Sequence, residues 1–309
     1  MMAASSRVSV RVTLDVELAR REGRPLVALE SSVLAHGLPI PANAEAARRM
    51  CAAVELQAAV PAITAVVRGA PSMGLTPEEL ERFLLRDGVM KASARDLPVA
   101  MATGADAATT VAGALAICHA SGVAVLATGG IGGVHREPAY DESADLLELA
   151  RRPIVVVCSG AKSLLDLPAT IERLETLGVT VVGFGTDDFP GFLFRSTGRQ
   201  LSAVASDVDQ IARILSQQRR LGLPGALLVV QPPPAEHALP RELVDAVTIQ
   251  ALTEARRAGV RGAEVTPFVL AAIDRATDGR SLRTNLALLE SNARLAGEIT
   301  HALVRSQVT

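Results

Sequence analysis

The sequence contains very few lysines. Only two, Lys91 and Lys162, occur among its 31 basic residues, and every other basic residue is an arginine. A retained lysine indicates a task that a guanidinium group cannot perform, since arginine serves wherever only positive charge is needed. A lysine amine can lose its proton and attack a carbonyl carbon. The scarcity therefore marks Lys162 as a candidate nucleophile, although chance alone also leaves a few lysines in an arginine-rich chain.

Aromatic residues, cysteines and excess charge are also scarce. Tryptophan is absent and aromatics make up 2% of the residues, which predicts a core of Ala, Val and Leu. The net charge of −2 argues against a non-specific nucleic-acid binder, because that role needs a concentrated basic surface. Three separated cysteines, Cys51, Cys118 and Cys158, indicate reduced core residues and a cytoplasmic protein.

Targeting and membrane-spanning signals are missing as well. No apolar run is long enough to cross a bilayer, and residues 1–25 contain no uninterrupted apolar stretch of the kind that directs secretion. We therefore expect small-molecule partners and no membrane. No polar linker divides the 309 residues, so we predict an N-terminal extension with a helix, residues 1–25, followed by one large domain, residues 26–309.

Apolar strands and helical segments alternate along the chain. We predict strands at residues 26–30, 62–67, 96–104 and 179–184 and helices at residues 42–56, 76–86, 106–122, 241–258, 266–277 and 281–305. Residues 185–207 are polar and predict a long loop. The alternation predicts an α/β protein, a three-layer α/β/α sandwich around a mostly parallel sheet.

Two candidate catalytic residues follow apolar runs. Glu30 directly follows the apolar run at residues 26–29, and Lys162 comes shortly after the apolar run at residues 154–158. Open parallel sheets bind their ligands at the carboxyl ends of the strands, which favours a functional reading of Lys162. A carboxylate after a buried strand is costly unless it is used or paired. A salt-bridged surface glutamate explains the position of Glu30 equally well.

A glycine-rich turn and an acidic segment lie between these residues. The turn, residues 129–133, lacks the third small residue of a dinucleotide fingerprint because His135 stands there, and we reject a nicotinamide site. A tight turn and a phosphate cradle both remain open. Asp141 and Asp145 have the i, i+4 spacing that puts two carboxylates on one helix face, which suits Mg²⁺ or Mn²⁺ or, equally, a helix N-terminus.

Eight motifs in this order resemble those of one known family, over roughly residues 26–299. They are VALESSVLAHGLPIPANAE, KASARDLP, ATTVAG, ATGGIGGVHR, DESADL, CSGAKSLLDL, VTPFVL and TNLALLESNARLA. The family is that of the pseudouridine-5′-phosphate glycosidases, also called indigoidine synthase A-like. The resemblance implies an α/β/α fold, a homotrimer, one Mn²⁺ or other divalent cation per subunit, and reversible cleavage of a C–C glycosidic bond to give uracil and ribose 5-phosphate.

The resemblance also assigns roles to individual positions. Glu30 matches the proton donor and Lys162 the nucleophile. The metal-binding position matches Asp141, and substrate-contacting positions match Lys91, Val111, Ser143, Ala144 and Asp145. The segments at residues 135–141 and 195–207 are shorter than expected for the family, which puts in doubt the exact metal position and the closure over substrate or the subunit contacts.

These roles predict covalent catalysis. With the ribose ring open, the Lys162 amine adds at C1′ and forms a Schiff base, while Glu30 delivers a proton to the uracil carbon. Three alternatives remain: a Schiff-base aldolase for another sugar phosphate, an enzyme for another C-nucleoside, and a non-catalytic sugar-phosphate-binding homologue. An aldolase would not require Glu30, and a binding protein would be expected to have lost Glu30 or Lys162.

Overall fold

The computed structural model describes residues 9–262 and 265–308. Within these ranges a single sheet forms the centre of the molecule. Its strands are β1 (Arg11–Val12), β2 (Leu26–Leu29), β3 (Val60–Val67), β4 (Ala70–Met73), β5 (Val89–Ala92), β6 (Asp106–Thr109), β7 (Val125–Ala127), β8 (Val155–Cys158), β9 (Thr180–Phe184), β10 (Val204–Ala205) and β11 (Leu227–Val230).

Helices follow most of the strands. A π-helical turn at Val33–Gly37 and a short 3₁₀ turn at Ala94–Asp96 add to them. The α-helices are α1 (Leu14–Arg21), α2 (Ala42–Glu55), α3 (Pro77–Leu85), α4 (Leu97–Thr103), α5 (Val111–Ser121), α6 (Ala144–Leu149), α7 (Leu167–Thr176), α8 (Val208–Arg220), α9 (Arg241–Arg257), α10 (Val265–Ala276) and α11 (Arg280–Val308).

The sheet is mostly parallel. Its strand order is β1-β4-β3-β2-β7-β8-β11-β9-β10, and β6 pairs with both β3 and β5. Only β4 and β6 run antiparallel to β3, while the central pairs β2 with β7, β7 with β8 and β8 with β11 are all parallel. The carboxyl ends of β2, β7, β8 and β11 therefore meet at one edge of the sheet.

Two helical layers cover this sheet. All residues of β7 and β8 are fully buried, which requires cover on both faces of the sheet. On one side α11 crosses β2, β7 and β8 and packs between α2 and α8, and on the other α5 packs on the strands beside α6. The prediction of an α/β protein with one mostly parallel sheet is confirmed.

Two predicted elements are wrong. The segment predicted as a strand at residues 96–104 contains helix α4 (Leu97–Thr103) instead. Pro98 lies in the first helical turn, where no N–H is required, and Gly104 ends the helix with a φ of 69°. The predicted helix at residues 106–122 begins only at Val111. Its first residues form β6, whose backbone pairs with two distant strands, and Thr110 caps the helix.

Several other predictions can be compared with the structure. Residues 185–207 are largely irregular as predicted but not uniformly polar, because Phe189, Phe192 and Phe194 are buried there. All three cysteines are free thiols, with Cys118 and Cys158 buried. The strand β1 joins the sheet beside β4, while residues 1–8 of the predicted N-terminal extension lie outside the described residues. Within the described ranges, no helix is long and apolar enough to span a membrane.

Candidate active site

Three strand ends meet around one small cavity. Glu30 directly follows β2, Gly129 and Gly130 follow β7, and Lys162 lies in the loop after β8. These four residues line the cavity together with Lys91 from β5. The structure thus brings the two candidate catalytic residues and one predicted substrate-contacting residue to a common space.

Glu30 is a buried carboxyl group held by hydroxyl donors. Its side chain is 3% exposed, the Thr128 hydroxyl donates to Oε1 over 2.5 Å and the Ser32 hydroxyl donates to Oε2 over 3.4 Å. Burial raises the pKa of the Glu30 carboxyl above its ordinary value, while the positive charge of Lys162 and the Thr128 hydrogen bond act in the opposite direction. A carboxyl group in this setting can hold a proton and deliver it.

The loop that carries Lys162 continues the β7–β8 pairing beyond the strand ends. The Lys162 N–H donates to the Ile131 carbonyl over 3.1 Å, and the Ile131 N–H donates to the Gly160 carbonyl over 3.0 Å. Ala161 and Ile131 form an isolated parallel bridge. These bonds fix the backbone of Lys162 against the glycine-rich turn and leave its half-buried side chain on the cavity.

The glycines of the turn allow close packing. A Cβ on Gly130 would lie 2.7 Å from the Phe192 ring, and a Cβ on Gly132 would lie 2.3 Å from the Ser143 hydroxyl. Neither glycine has a positive φ, so close approach and not a left-handed backbone explains the small residues. A tight, closely packed turn therefore accounts for these two positions.

The remaining predicted substrate-contacting residues form a cluster around Gly132. Asp145 is 4% exposed, and its two carboxylate oxygens accept the backbone N–H groups of Gly132 and Ala112, each over 2.8 Å. Ser143 caps α6 by accepting the Asp145 N–H. The cluster, where α5 and α6 begin, consists of Val111, Ser143, Ala144 and Asp145.

Asp141 lies apart from Asp145. The expectation that both carboxylates share one helix face is wrong, because α6 begins only at Ala144 and Asp141 lies in the preceding loop, exposed, while Asp145 is buried. The Asp141 carbonyl accepts the His135 N–H over 2.9 Å. Burial lowers the pKa of the His135 imidazole, Asp141 raises it, and Lys162 lowers it, so these three groups lie within electrostatic reach of one another.

The donor set around Asp141 fits only a hydrated cation. Among residues 9–262 and 265–308, no group of three or more His, Cys, Asp or Glu side chains could hold a metal ion. Mg²⁺ and similar hard cations are commonly held by one or two carboxylates, with water and substrate phosphate completing the shell. An exposed carboxylate beside a cavity of about 760 Å³ is compatible with that arrangement and not with an all-protein cage.

The cavity between Glu30 and Lys162 is small, about 40 Å³, and residues Thr266, Pro267 and Leu270 of α10 line it. A neighbouring cavity of about 330 Å³ shares His36 and Asn285 with it. Pockets for small-molecule ligands usually measure a few hundred Å³. The neighbouring cavity falls in this range, and the cavity between Glu30 and Lys162 is far smaller.

The residues that the sequence did not single out include four that line the cavity or contact Glu30. Asn285 presents a side-chain oxygen that is buried without a hydrogen-bond partner among the described residues. Phe192 adopts a φ of 65°, an unusual value for a bulky residue. The rarity of aromatic residues was a usable signal for Phe192. The position of a threonine between a strand and a glycine turn was a usable signal for Thr128. The four are His36, Thr128, Phe192 and Asn285.

Fold and site together define an α/β protein in which a buried carboxyl group and a lysine line one cavity at the strand ends. The family described as "Indigoidine synthase A like protein" has a sequence model that matches residues 15–302. The chain belongs to this family. The family prediction is therefore confirmed.

Similar proteins cover nearly the whole chain. The pseudouridine-5′-phosphate glycosidase of Gemmatimonas aurantiaca is 61% identical, over 95% of this chain and 96% of its own. That of Chloroflexus aurantiacus is 48% identical, over 94% and 97%. The crystal structure of an indigoidine synthase A-like protein from Thermotoga maritima superimposes with a TM-score of 0.89 at 35% identity, covering 99% of this chain and 100% of that one.

A second solved structure comes from an enzyme with another name. The prealnumycin C-glycosynthase AlnA, in complex with ribulose 5-phosphate, superimposes with a TM-score of 0.89 at 36% identity and covers 97% of this chain and 98% of its own. The shared fold therefore extends to a protein whose name describes C-glycoside synthesis.

Proposed function

We propose that this protein cleaves the C–C glycosidic bond of pseudouridine 5′-phosphate to uracil and ribose 5-phosphate, and that the reaction is reversible. The observation that carries the proposal is the meeting of buried Glu30 and Lys162 at one cavity. The 61% identity to a pseudouridine-5′-phosphate glycosidase over almost the full chain supports this choice of substrate.

The bond itself determines the chemistry. A C–C glycosidic bond offers no leaving-group oxygen to protonate, so the usual two-carboxylate mechanism does not apply. The Lys162 amine bonds to C1′ as the C1′–O4′ bond breaks, which opens the ribose ring, and O4′ takes the proton that the amine loses. The nitrogen lone pair then forms the C=N bond as the C–C electrons leave with the uracil carbon, which takes a proton from Glu30. Water hydrolyses the resulting imine to release ribose 5-phosphate and Lys162.

Glu30 suits the acid role because its surroundings favour the protonated form. Burial raises its pKa, which keeps the carboxyl group protonated at higher pH than an exposed glutamate. In the reverse direction the ionised carboxylate would take the proton from the uracil carbon. The buried oxygen of Asn285 is a suitable acceptor for an N–H group of the base.

Lys91, Asp141 and the cluster around Gly132 complete the proposal. Lys91 would bind the substrate phosphate, because it lines the same cavity and carries positive charge. Asp141 would hold a divalent cation, Mn²⁺ by the family resemblance, which when bound supplies positive charge to phosphate oxygens. We also propose that the protein is cytoplasmic and that it forms a homotrimer. Light scattering of the purified protein measures the oligomeric state directly.

A second candidate is an enzyme that joins a pentose phosphate to a different carbon acid. It is favoured by the likeness to the prealnumycin C-glycosynthase, which was solved with ribulose 5-phosphate. Both candidates share Lys162 and Glu30 but differ in the base. Competition between uracil and larger aromatic carbon acids in the synthetic direction distinguishes the two.

The direct test is release of uracil from pseudouridine 5′-phosphate by the purified protein with Mn²⁺. Glu30→Gln and Lys162→Arg are the matched inactive controls. Unphosphorylated pseudouridine should be a far poorer substrate, because phosphate contacts supply binding energy used at the reacting carbon. No uracil release from the phosphorylated substrate, with a folded protein and added metal, would contradict the proposal.

A further inference from the structure

A buried asparagine on α11 joins the ends of three strands below the cavity. The Asn292 Nδ2 donates to the Thr128 carbonyl over 2.8 Å and to the Gly129 carbonyl over 3.3 Å. Its Oδ1 accepts the Gln231 amide over 2.8 Å, and its side chain also contacts the Ser159 hydroxyl. The Asn292 network, defined as Thr128, Ser159, Gln231 and Asn292, thus ties β7, β8 and β11 to one side chain.

The orientation of this amide follows from its partners. Two backbone carbonyls can only accept, so the NH₂ group must face them, and the Gln231 amide donates to the opposite oxygen. Asn292 is 0% exposed, and it is not among the residues that line the cavity of Glu30. A buried, fully bonded amide of this kind holds its neighbours in one arrangement.

Thr128 connects the network to the active site. Its carbonyl is held by Asn292, while its hydroxyl donates to Glu30 over 2.5 Å, within the range of a strong charge-assisted hydrogen bond. The peptide unit after β7 therefore links a residue of α11 to the candidate acid. Any rotation of Thr128 that follows loss of Asn292 changes the bond to Glu30.

We propose that Asn292 is a positioning residue that holds the Thr128 hydroxyl against Glu30 and so sets the pH range in which Glu30 exchanges a proton with the substrate carbon. This inference rests on the proposed function for its link to turnover. The other charged groups that act on Glu30 are Lys162, Lys91 and Asp145, and the ring of His36 lines the same cavity. The side-chain hydrogen bonds that the structure describes for Asn292 go to Thr128, Gly129, Ser159 and Gln231, and to none of these four groups.

The Thr128 hydroxyl stabilises the ionised form of Glu30, and its loss raises the proton affinity of the carboxyl group. Thr128→Val should therefore move the alkaline limb of the cleavage rate to higher pH by about one unit. Asn292→Ala should move it in the same direction by about half a unit, because the hydroxyl is loosened and not removed. Thr128→Ser keeps a hydroxyl and should restore most of the parent profile.

A double variant tests the route. If Asn292 acts through Thr128, Asn292→Ala adds no further shift in the Thr128→Val background. Thr300→Val is the matched control, since it deletes a partly buried hydrogen bond from α11, to the Leu26 carbonyl, and Thr300 makes no hydrogen bond to Thr128. The stability of the Thr300→Val protein should fall, while its pH profile should stay at the parent position. If Asn292→Ala fails to fold, Gln231→Met is the replacement, because it removes the hydrogen bond that Gln231 donates to the Asn292 oxygen. It should shift the alkaline limb of the cleavage rate in the same direction.

A second readout does not depend on turnover. Infrared difference spectra between each protein and its Glu30→Gln counterpart report the protonation of Glu30 directly across a pH series. The inference predicts that the titration of Glu30 shifts most in Thr128→Val, less in Asn292→Ala and little in Thr128→Ser. Unchanged titration and an unchanged limb in Asn292→Ala or Gln231→Met, or additive shifts in the double variant, would overturn it. Absence of uracil release from the parent protein would instead count against the proposed function alone.

Discussion

The Asp145 carboxylate accepts the backbone N–H of Gly132 over 2.8 Å, and its other oxygen accepts the N–H of Ala112 at the start of α5. A residue predicted from the sequence to bind substrate therefore has both oxygens engaged with backbone groups. One buried carboxylate connects the glycine-rich turn to two helix N-termini, where partial positive charge favours an anion. Through these hydrogen bonds Asp145 fixes the positions of Gly132 and Ala112 relative to each other.

Asp145→Asn should lower the stability of the protein together with its activity. The amide supplies one acceptor where two N–H groups need one each, and its NH₂ group would face an N–H donor. Leaving one of these buried groups unsatisfied costs about 2 kcal/mol. Urea unfolding measures the change. The control is Asp209→Asn, which removes an exposed ion pair with Arg305 and should cost little. Equal stability of Asp145→Asn and the parent would contradict this assignment.

Gly132→Ala should abolish activity. The new Cβ would lie 2.3 Å from the Ser143 hydroxyl and 2.9 Å from Asp145, so the turn and the start of α6 must separate. Gly225→Ala adds the same methyl group where the nearest atom is 3.5 Å away, and should be tolerated. Turnover and thermal unfolding of the two variants are compared. Similar behaviour of the two would mean that close packing at Gly132 is unimportant.

Lys162→Arg should be folded and inactive. Arginine keeps the positive charge near Glu30 but cannot form the imine with the sugar. Loss of covalent catalysis should lower kcat by several orders of magnitude. Borohydride reduction with ribose 5-phosphate, followed by mass spectrometry, should add a pentose phosphate to the Lys162 peptide of the parent protein. Lys91→Arg serves as the control, and an adduct on Lys91 would exchange the roles of the two lysines.

Glu30→Gln should be inactive yet more stable than the parent at neutral and mildly alkaline pH. Because the pKa of Glu30 is raised in the folded state, its favourable contribution is fully present below the ordinary value of 4.5 and is lost as pH rises through the folded value. Glutamine avoids the burial of a charge. Urea unfolding over a pH series checks this, with the exposed Glu81→Gln as control. A stability difference that does not grow with pH would contradict it.

Removal of divalent cations with a chelator should abolish turnover, and Mn²⁺ should restore it. Asp141→Asn should weaken that restoration, so that more Mn²⁺ is needed for half-maximal activity. Its stability should equal that of the parent, because Asp141 is exposed. Glu137→Gln, in the same exposed loop, is the control for a change of charge. Full activity of the metal-free protein would remove the cation from the proposed mechanism.

Local sequence patterns were reliable where one element determines its own structure. The helix predicted at residues 76–86 is α3, and the capping box of Thr76 with Glu79 at its start has both of its hydrogen bonds. Local patterns failed where pairing with distant segments decides the secondary structure. Residues 106–109 join a helix-forming run in the sequence, but they form a strand because β3 and β5 supply their backbone partners.

The candidate site shows the same division. Scarcity of lysine and the motif resemblance selected Glu30, Lys91 and Lys162, which the structure brings to one cavity, and their chemical roles stay predictions. The pairing of Asp141 with Asp145 was wrong because a spacing of four residues brings side chains to one face only inside a helix. The boundary at residue 25 and the roles of the other site residues also stay predictions.

The sequence by itself determined the family, the alternation of strands and helices and the residue types able to form an imine and transfer a proton. Those properties depend on local pattern and on the chemistry of single side chains. Only the tertiary structure decided that Thr128 contacts Glu30 and that Asn292 holds Thr128. Thr128 is 98 positions from Glu30 in the sequence and 164 positions from Asn292. The proton affinity of a buried carboxyl group depends on such neighbours, and folding alone brings them together.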